Sequence, residues 1–206
     1  MNFELPKIYP ITDERLSRIS HSEQVEKFIE GGARFIQLRE KYASAREFYE
    51  SAESALKIAR KYNAKIIIND RVDIALALKA DGVHLGQDDL PPAEARKILG
   101  KKAIIGFSTH NIEQAIAAVR MPIDYLAIGP IFATKTKENP DAVVGLAGLI
   151  KVREATGNFP LVAIGGICLK NLPEILKAGS NSAAIISDLI SDAEKIGTNY
   201  KLLSSL

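Results

Sequence analysis

The chain has 206 residues, a length that suits one domain with a sizeable buried core. It is 47% hydrophobic and 25% charged, as in ordinary globular proteins, and 27 basic against 25 acidic residues leave a net charge of only +2. Because that excess is small and the basic residues are scattered, we expect neither a nucleic-acid partner nor a membrane partner.

The sequence carries no pattern typical of export or membrane insertion. Cys168 is the single cysteine, which excludes an internal disulfide and fits a reducing compartment. Residues 1–7 lack the basic and then apolar pattern of a signal peptide, and no run approaches the roughly 18 apolar residues of a membrane helix. We therefore expect a cytoplasmic protein, and a homo-oligomer is compatible with the sequence.

Eight apolar runs rich in β-branched residues predict β-strands, and the stretches between them have helical patterns. The predicted strands are 8–12, 34–38, 65–68, 82–85, 103–106, 125–128, 160–164 and 183–186. The predicted helices are 21–30, 45–62, 72–79, 92–99, 112–120, 146–154, 171–177 and 191–203. Strands that alternate with helices indicate an α/β fold with a parallel sheet.

The number of units separates two α/β architectures. Eight units of about 26 residues each are short for a (β/α)8 TIM barrel, which typically has about 250 residues. A doubly wound sheet usually carries a glycine fingerprint after its first strand, whereas residues 12–15 here contain no glycine. The count of eight and the missing fingerprint favour a single-domain TIM barrel over residues 1–206.

Three helix ends support these boundaries. Ser44 precedes an amphipathic stretch and has Glu47 three residues on, which is a capping-box pattern. Asn111 is placed to cap the helix that follows it. Gly179 is placed to end the seventh helix in a left-handed conformation.

Polar residues at the end of the second strand form the first candidate site. In a TIM barrel the active site lies at the carboxyl ends of the strands, and alternation puts Gln37, Arg39 and Lys41 on one side. An amide, a guanidinium and an ammonium group together suit a diphosphate. The alternative is a solvated strand end in which Arg39 pairs with Glu40.

Acidic residues after the third and fourth strands form the second candidate site. Asn69 and Asp70 follow one strand, and Asp89 follows the next. If these strands are parallel neighbours, two carboxylates meet at their ends and suit Mg²⁺, which completes its shell with water and substrate phosphate. Alternatively, Asn69 and Asp70 form a turn or a helix cap. Asp88 is the alternative to Asp89 as the second carboxylate of the metal site.

Hydroxyl groups, cations and glycines follow the remaining strands and predict anion binding. The residues are Ser108 after the fifth strand, Thr134, Lys135, Thr136 and Lys137 after the sixth, Gly165 and Gly166 after the seventh, and Ser187 and Asp188 after the eighth. Barrels frequently hold a phosphate in the loops after strands seven and eight. The alternatives are a flexible polar loop after the sixth strand and an ordinary tight turn after the seventh.

The three histidines and Cys168 give weaker signals. Ser108 and His110 could be a nucleophile and its base, but the sequence supplies no third group to orient the base, so Ser108 is better interpreted as a phosphate donor. We expect His21 at the surface, His84 within a strand and Cys168 in packing contacts. No spacing typical of zinc ligands occurs.

Seven fragments taken in chain order resemble the thiamine-phosphate synthase family. They are 37–41, Gln-Leu-Arg-Glu-Lys; 69–71, Asn-Asp-Arg; 86–89, Gly-Gln-Asp-Asp; 108–110, Ser-Thr-His; 129–137, Gly-Pro-Ile-Phe-Ala-Thr-Lys-Thr-Lys; 163–167, Ala-Ile-Gly-Gly-Ile; and 186–187, Ile-Ser. The resemblance covers nearly the whole chain. It departs at Ala133, where the family usually has proline, and at 180–182, where Ser-Asn-Ser replaces Ala-Asp-Gly.

The resemblance implies a TIM barrel that joins a hydroxymethylpyrimidine diphosphate to a thiazole phosphate and releases diphosphate. It implies pyrimidine diphosphate binding by Gln37, Arg39, Lys41, Asn69, Ser108 and Lys137, Mg²⁺ binding by Asp70 and Asp89, and thiazole phosphate binding by Thr134, Thr136, Gly166, Ile186 and Ser187. We also predict substrate contacts for Leu38, Glu40 and Lys135. The predicted catalytic residues are Arg39, Lys41, Ser108 and Lys137.

The residue types agree with that chemistry. Mg²⁺, Arg39 and the lysines can stabilise the charge that develops on departing diphosphate. The electron-rich aminopyrimidine can share positive charge as the C–O bond breaks, so no protein nucleophile is required. Two alternatives are a thiazole tautomerase of the same barrel group and a barrel that binds phosphates without catalysis.

Overall fold

The structure, a computed structural model, describes residues 4–134, 136 and 141–206. Eight parallel strands hydrogen-bond in chain order around a closed barrel, which confirms the predicted α/β TIM-barrel fold. The strands are β1 (Ile8–Thr12), β2 (Phe35–Leu38), β3 (Lys65–Asn69), β4 (Gly82–Leu85), β5 (Ile104–Thr109), β6 (Tyr125–Ile128), β7 (Leu161–Ile164) and β8 (Ser182–Ile185). That the domain extends over all of 1–206 stays a prediction.

Helices surround the barrel on the outside. They are α1 (Glu14–Ser17), α2 (His21–Glu30), α3 (Ala45–Lys61), α4 (Val72–Leu78), α5 (Pro92–Leu99), α6 (Ile112–Ala118), α7 (Gly145–Thr156), α8 (Leu172–Lys177), α9 (Ser187–Ile190) and α10 (Ile196–Ser204). Within the described part of the chain, none of them is long and apolar enough to cross a membrane.

Most predicted boundaries lie within one or two residues of the observed ones, and the larger differences concern β5 and the short helices. Strand β5 extends to Thr109, so Ser108 belongs to the strand and not to the loop after it. The short helices α1 and α9 were not predicted. The single helix predicted over 191–203 is interrupted, because the Asp192 side chain accepts a hydrogen bond from the Glu194 backbone N–H and starts a 3₁₀ turn before α10.

The predicted helix caps are confirmed. Ser44 and Glu47 form a reciprocal capping box at the start of α3. The Asn111 side chain accepts a hydrogen bond from the Gln114 backbone N–H at 2.8 Å. Gly179, just beyond α8, has a φ of +99°, in the region that favours glycine.

Alternation along the strands divides the core into two parts. One face of the barrel packs against the helices, and the other fills the barrel interior. The interior cluster consists of Tyr9, Ile11, Phe35, Ile67, Ile104, Tyr125, Ala127, Val162 and Ala184. Since the barrel is filled below by these apolar and aromatic side chains, only its carboxyl-terminal mouth is left for polar chemistry.

Close approach of β4 and β5 depends on Gly82. Gly82 pairs with Ile104 in the parallel ladder. A Cβ atom added at Gly82 would lie 1.9 Å from the carbonyl oxygen of Ile104, a distance that no side chain can occupy. The backbone of both strands is held by the neighbouring ladders β3–β4 and β5–β6, so separating the two strands costs free energy.

We expect Gly82→Ala to lower the free energy of unfolding by about 3 kcal/mol, because overpacking against backbone forces the strands apart. Urea unfolding followed by circular dichroism measures this loss. Gly148→Ala in α7 is the matched control, since its added Cβ would meet only the Val144 side chain, which can rotate. A loss no larger for Gly82→Ala than for Gly148→Ala would contradict the close approach of the two strands.

Candidate active site

A cavity of about 460 Å³ opens at the carboxyl-terminal mouth of the barrel and is lined by residues from all eight strand ends. Of the predicted site residues, it gathers Gln37, Arg39, Lys41, Asn69, Asp70, Asp89, Ser108, Thr134, Thr136, Gly166, Ile186 and Ser187. Lys135 and Lys137 lie outside the described residues. Strand ends that are far apart in sequence therefore meet around one volume.

Leu38 and Glu40 do not line the cavity. Side chains alternate along β2, so these two residues point away from the barrel interior while Gln37, Arg39 and Lys41 face it. Leu38 is fully buried in the core between sheet and helices. Glu40 instead lies 3.7 Å from the ring of His21 on the outer side.

Ion pairs hold both cations of the β2 end. The Arg39 guanidinium donates to the carboxylate of Asp13, which is only 5% exposed, and the Arg39 backbone N–H donates to the Thr12 hydroxyl at 3.4 Å. The Lys41 ammonium donates to the carboxylate of Asp70. Because each cation is already held at the cavity wall, an anion entering the cavity meets oriented positive charge.

Asp70 and Asp89 form the pair of carboxylates that the sequence predicted at neighbouring strand ends. Asp70 has a φ of +61° and donates its backbone N–H to the carbonyl oxygen of His84 at 2.8 Å. Asp89 accepts a hydrogen bond from the Gly86 backbone N–H at 2.6 Å. Burial raises the pKa of Asp89, and the neighbouring Asp70 carboxylate raises it further. A cation beside this pair would relieve that repulsion.

A chain of hydrogen bonds crosses the barrel interior and joins two residues that are predicted to bind substrate, Gln37 and Ser108. Gln37 donates its side-chain amide to the Tyr9 hydroxyl at 3.0 Å, and the Tyr9 and Tyr125 hydroxyls lie 3.0 Å apart. The Tyr125 hydroxyl lies 3.0 Å from His84 Nδ1, and His84 Nε2 lies 2.8 Å from Ser108 Oγ. The five side chains come from five different strands, so the chain ties the strand ends together.

The hydrogen bonds of this chain can all run in one direction, starting from the Gln37 amide. In that arrangement Tyr9 donates to Tyr125, Tyr125 donates to His84 Nδ1, and His84 donates from Nε2 to Ser108. The Ser108 hydroxyl hydrogen is then available to the cavity. Burial lowers the pKa of His84 to about 4, so its ring is neutral near pH 7 and has one donor and one acceptor nitrogen.

This network does not support a serine nucleophile activated by His110. The hydrogen-bond partner of Ser108 is His84, and burial lowers the pKa of His84 to about 4, which does not suit a general base near neutral pH. His110 instead places Nδ1 2.8 Å from the Gly129 carbonyl oxygen and 3.4 Å from the carboxylate of Asp141. These contacts connect the end of β5 to residues that follow β6.

Sequence reasoning missed Tyr9, Tyr125 and His84 as site residues. Each is a polar side chain within a predicted strand, at the position that alternation assigns to the barrel interior. A buried tyrosine or histidine needs a hydrogen-bond partner, and that requirement was the available signal. His21 is a further correction, because it is completely buried and not at the surface.

The opposite wall of the cavity is built from backbone and hydroxyl groups. Gly165 and Gly166 have φ values of +102° and +64°, and a Cβ at Gly166 would lie 2.7 Å from the carbonyl oxygen of Ala133. The Thr136 backbone N–H donates to the Thr134 hydroxyl at 3.3 Å. Tight packing of these loops leaves a wall rich in hydroxyl groups and free of side chains at the glycines.

The chain is similar to known proteins along most of its length. A family model described as thiamine monophosphate synthase matches residues 8–189. The chain is 45% identical to the thiamine-phosphate synthase of Chloroflexus aurantiacus over 185 residues, covering 89% of this chain and 85% of the relative. It is 46% identical to that of Persephonella marina, with coverage of 97% and 94%.

A solved structure is similar at the level of the fold and of the sequence. The thiamine phosphate pyrophosphorylase from Pyrococcus furiosus superposes with a TM-score of 0.86 at 40% identity. The match covers 97% of this chain and 94% of that protein. The similarity therefore covers nearly the whole barrel and is not limited to one motif.

The low pKa of His84 makes part of the stability depend on pH. The folded pKa of about 4 lies below the ordinary value of 6.5, so the unfolded chain binds this proton more readily. The contribution of neutral His84 to the free energy of unfolding is fully present above about pH 6.5. It is lost as the pH falls toward 4, which lowers the free energy of unfolding by up to about 3 kcal/mol. We expect His84→Gln, which can keep hydrogen bonds, to lack this part of the pH dependence. Urea unfolding near pH 7 and near pH 4 measures it, and parallel curves for both proteins would contradict the assignment.

Proposed function

Because the chain belongs to the thiamine monophosphate synthase family, we propose that its barrel mouth joins a pyrimidine diphosphate to a thiazole phosphate and releases diphosphate. As a thiamine-phosphate synthase, it is a transferase of thiamine biosynthesis that acts on small phosphorylated substrates. The observation that carries the proposal is one cavity with two unlike walls. Cations and paired carboxylates form one wall, and glycines and hydroxyl groups form the other.

The charged wall suits the diphosphate of the pyrimidine substrate. Arg39 and Lys41 supply positive charge, and Gln37, Asn69 and Ser108 supply amide and hydroxyl donors from the ends of β2, β3 and β5. Ser108 suits this part when the hydrogen-bond chain runs from Gln37, since its hydroxyl hydrogen is then directed away from His84. The catalytic role of Lys137 and the substrate contact of Lys135 stay predictions.

The paired carboxylates fit a divalent cation. Two hard oxygen groups line the same cavity, and the pKa of Asp89 is raised by burial and by the neighbouring Asp70, so a bound cation is a favourable neighbour for both. In our proposal Asp70 and Asp89 hold Mg²⁺. When bound, Mg²⁺ would supply positive charge that offsets the charge on the departing diphosphate.

The other wall suits the phosphate of the thiazole substrate. Gly166 leaves room for close backbone approach, and Thr134, Thr136 and Ser187 supply hydroxyl donors. Ile186 adds an apolar surface beside them. The two phosphorylated substrates would thus bind with their phosphates on opposite sides and their rings toward the middle of the cavity.

The reaction needs charge stabilisation more than a base. The C–O bond to diphosphate breaks with its electron pair on oxygen, and the aminopyrimidine shares the positive charge left at carbon. The thiazole nitrogen then donates its electron pair to that carbon and forms the new C–N bond. In this scheme Arg39 and Lys41 bind the leaving group, and the neutral His84 takes no proton.

Three further expectations remain predictions. We expect the protein to act in the cytoplasm and without a nucleic-acid or membrane partner. The third expectation is that a homo-oligomer is compatible with the sequence.

Diphosphate release measures the proposed reaction directly. We expect release to need both substrates and Mg²⁺, and Asp70→Asn or Asp89→Asn to lower turnover by roughly 100-fold because each removes a negatively charged ligand. Asp88→Asn is the matched control, since Asp88 is an exposed neighbour that lines the same cavity.

Two outcomes would contradict this assignment. A larger loss for Asp88→Asn than for Asp89→Asn would move the metal ligand to Asp88. Binding of both substrates without diphosphate release, or isomerisation of the thiazole phosphate alone, would favour the phosphate-binding barrel or the tautomerase.

Arg39→Lys tests the diphosphate assignment separately. Lysine keeps the charge but loses the forked guanidinium, so we expect the KM for the pyrimidine diphosphate to rise by about tenfold while the KM for the thiazole phosphate changes little. Steady-state kinetics with each substrate varied in turn measures both. An equal rise in both KM values would contradict the diphosphate assignment, because it would indicate that Arg39 maintains the structure of the barrel mouth as a whole.

A further inference from the structure

Three ionisable side chains meet outside the cavity, on the outer side of β1 and β2. Glu14 begins α1, His21 begins α2 and Glu40 follows β2. One oxygen from each carboxylate and one nitrogen of the ring all lie within 4.8 Å of one another. His21 Nε2 is 3.9 Å from Glu14 Oε1 and 3.7 Å from Glu40 Oε2.

The nitrogen that faces the two carboxylates is buried and has no hydrogen-bond partner within the described ranges. His21 is 0% exposed, although its other nitrogen, Nδ1, lies 2.7 Å from the Thr12 hydroxyl. When that hydroxyl donates its hydrogen to the Gln37 carbonyl oxygen, 3.3 Å away, it accepts from Nδ1–H. The Nε2 lone pair is then directed toward the two carboxylates.

A buried lone pair that faces two carboxylates is unfavourable unless a cation lies between them. A proton on His21 would be one such cation. Burial works against it and lowers the pKa of His21, although Glu14, Glu40 and Asp13 oppose that effect. A metal ion bound directly by Nε2 needs no protonated ring.

Hydrogen bonds already hold both carboxylates in place. Glu40 Oε1 accepts from the backbone N–H groups of Tyr42 at 2.7 Å and Ala43 at 3.1 Å, while Oε2 faces His21. Burial raises the pKa of Glu40, but these donors outweigh it and hold that pKa below its ordinary value, so Glu40 is ionised. Glu14 Oε1 accepts from the His21 backbone N–H and from the Ser51 hydroxyl, each at 2.8 Å.

We propose that Glu14, His21 and Glu40 bind a divalent transition-metal ion of the Zn²⁺ class, at a second site distinct from Asp70 and Asp89. One imidazole and two carboxylates suit Zn²⁺, Co²⁺ or Mn²⁺, whereas an all-carboxylate pair suits Mg²⁺. Tetrahedral Zn²⁺ needs neighbouring ligand atoms about 3.3 Å apart. The His21 nitrogen, at 3.9 and 3.7 Å from the two carboxylates, is close to that spacing, and the two carboxylate oxygens, which lie within 4.8 Å of each other, need to approach by at most about 1.5 Å.

The position of this site links it to the substrate cavity. Glu40 lies between Arg39 and Lys41, which face the cavity from the same strand end. An ion bound to Glu40 therefore fixes the backbone that carries both cations, and it connects that backbone to the starts of α1 and α2. The role we assign to the ion is structural support behind the diphosphate wall.

Co²⁺ is the probe that tests the site, because its visible absorption reports ligand number and type. The untagged full-length chain carrying Asp70→Asn and Asp89→Asn removes competition from the cavity carboxylates. We expect one Co²⁺ per chain in equilibrium dialysis and an absorption band typical of low coordination number. Adding Glu40→Gln or His21→Gln should weaken binding by at least about tenfold.

Two controls keep the outcome decisive. Glu26→Gln removes an exposed carboxylate on α2 and should leave Co²⁺ binding unchanged. Glu40→Gln retains an oxygen for the Tyr42 and Ala43 donors, so it decides the test if His21→Gln fails to fold. Failure of the double variant to bind Co²⁺, or equal binding with and without Glu40→Gln, would overturn the proposal.

Discussion

Closure of eight parallel strands into one ring fixes which side chains can meet. Every second residue of each strand must face the interior, and the next must face the helices. At the end of β2 this rule places Gln37 and Arg39 at the cavity while it places Leu38 and Glu40 on the outer side. The substrate wall and the outer carboxylate cluster are thus two consequences of a single alternation.

The polar chain across the interior depends on a residue without a side chain. A Cβ added at Gly106 would lie 2.0 Å from the ring of Tyr125, so only glycine lets that ring cross the barrel. Tyr125 in turn contacts the Tyr9 hydroxyl and His84, and through His84 it orients Ser108. The packing of the Tyr125 ring inside the barrel and the hydrogen bonding at the barrel mouth therefore both depend on the absence of a side chain at Gly106.

Local patterns predicted most of the fold, and contacts between distant strands explain what they did not predict. Apolar runs located all eight strands, and the rule that barrel sites lie at strand ends led to Asp70 and Asp89. The contact between Tyr9 and Tyr125 joins residues 116 positions apart, which no local pattern reports. The burial of His21 depends likewise on the packing of α2 against β1 and α3.

Pairing of the first strand with the last has a kinetic meaning. Ile8 pairs in register with Ala183, so the ring closes through contacts between distant parts of the chain. Ordering so long a loop costs conformational entropy before the new contacts repay it, and such topologies fold slowly. The cavity draws on all eight strand ends and is complete only when β8 docks. Substrate affinity should consequently be among the last properties that the folding chain acquires.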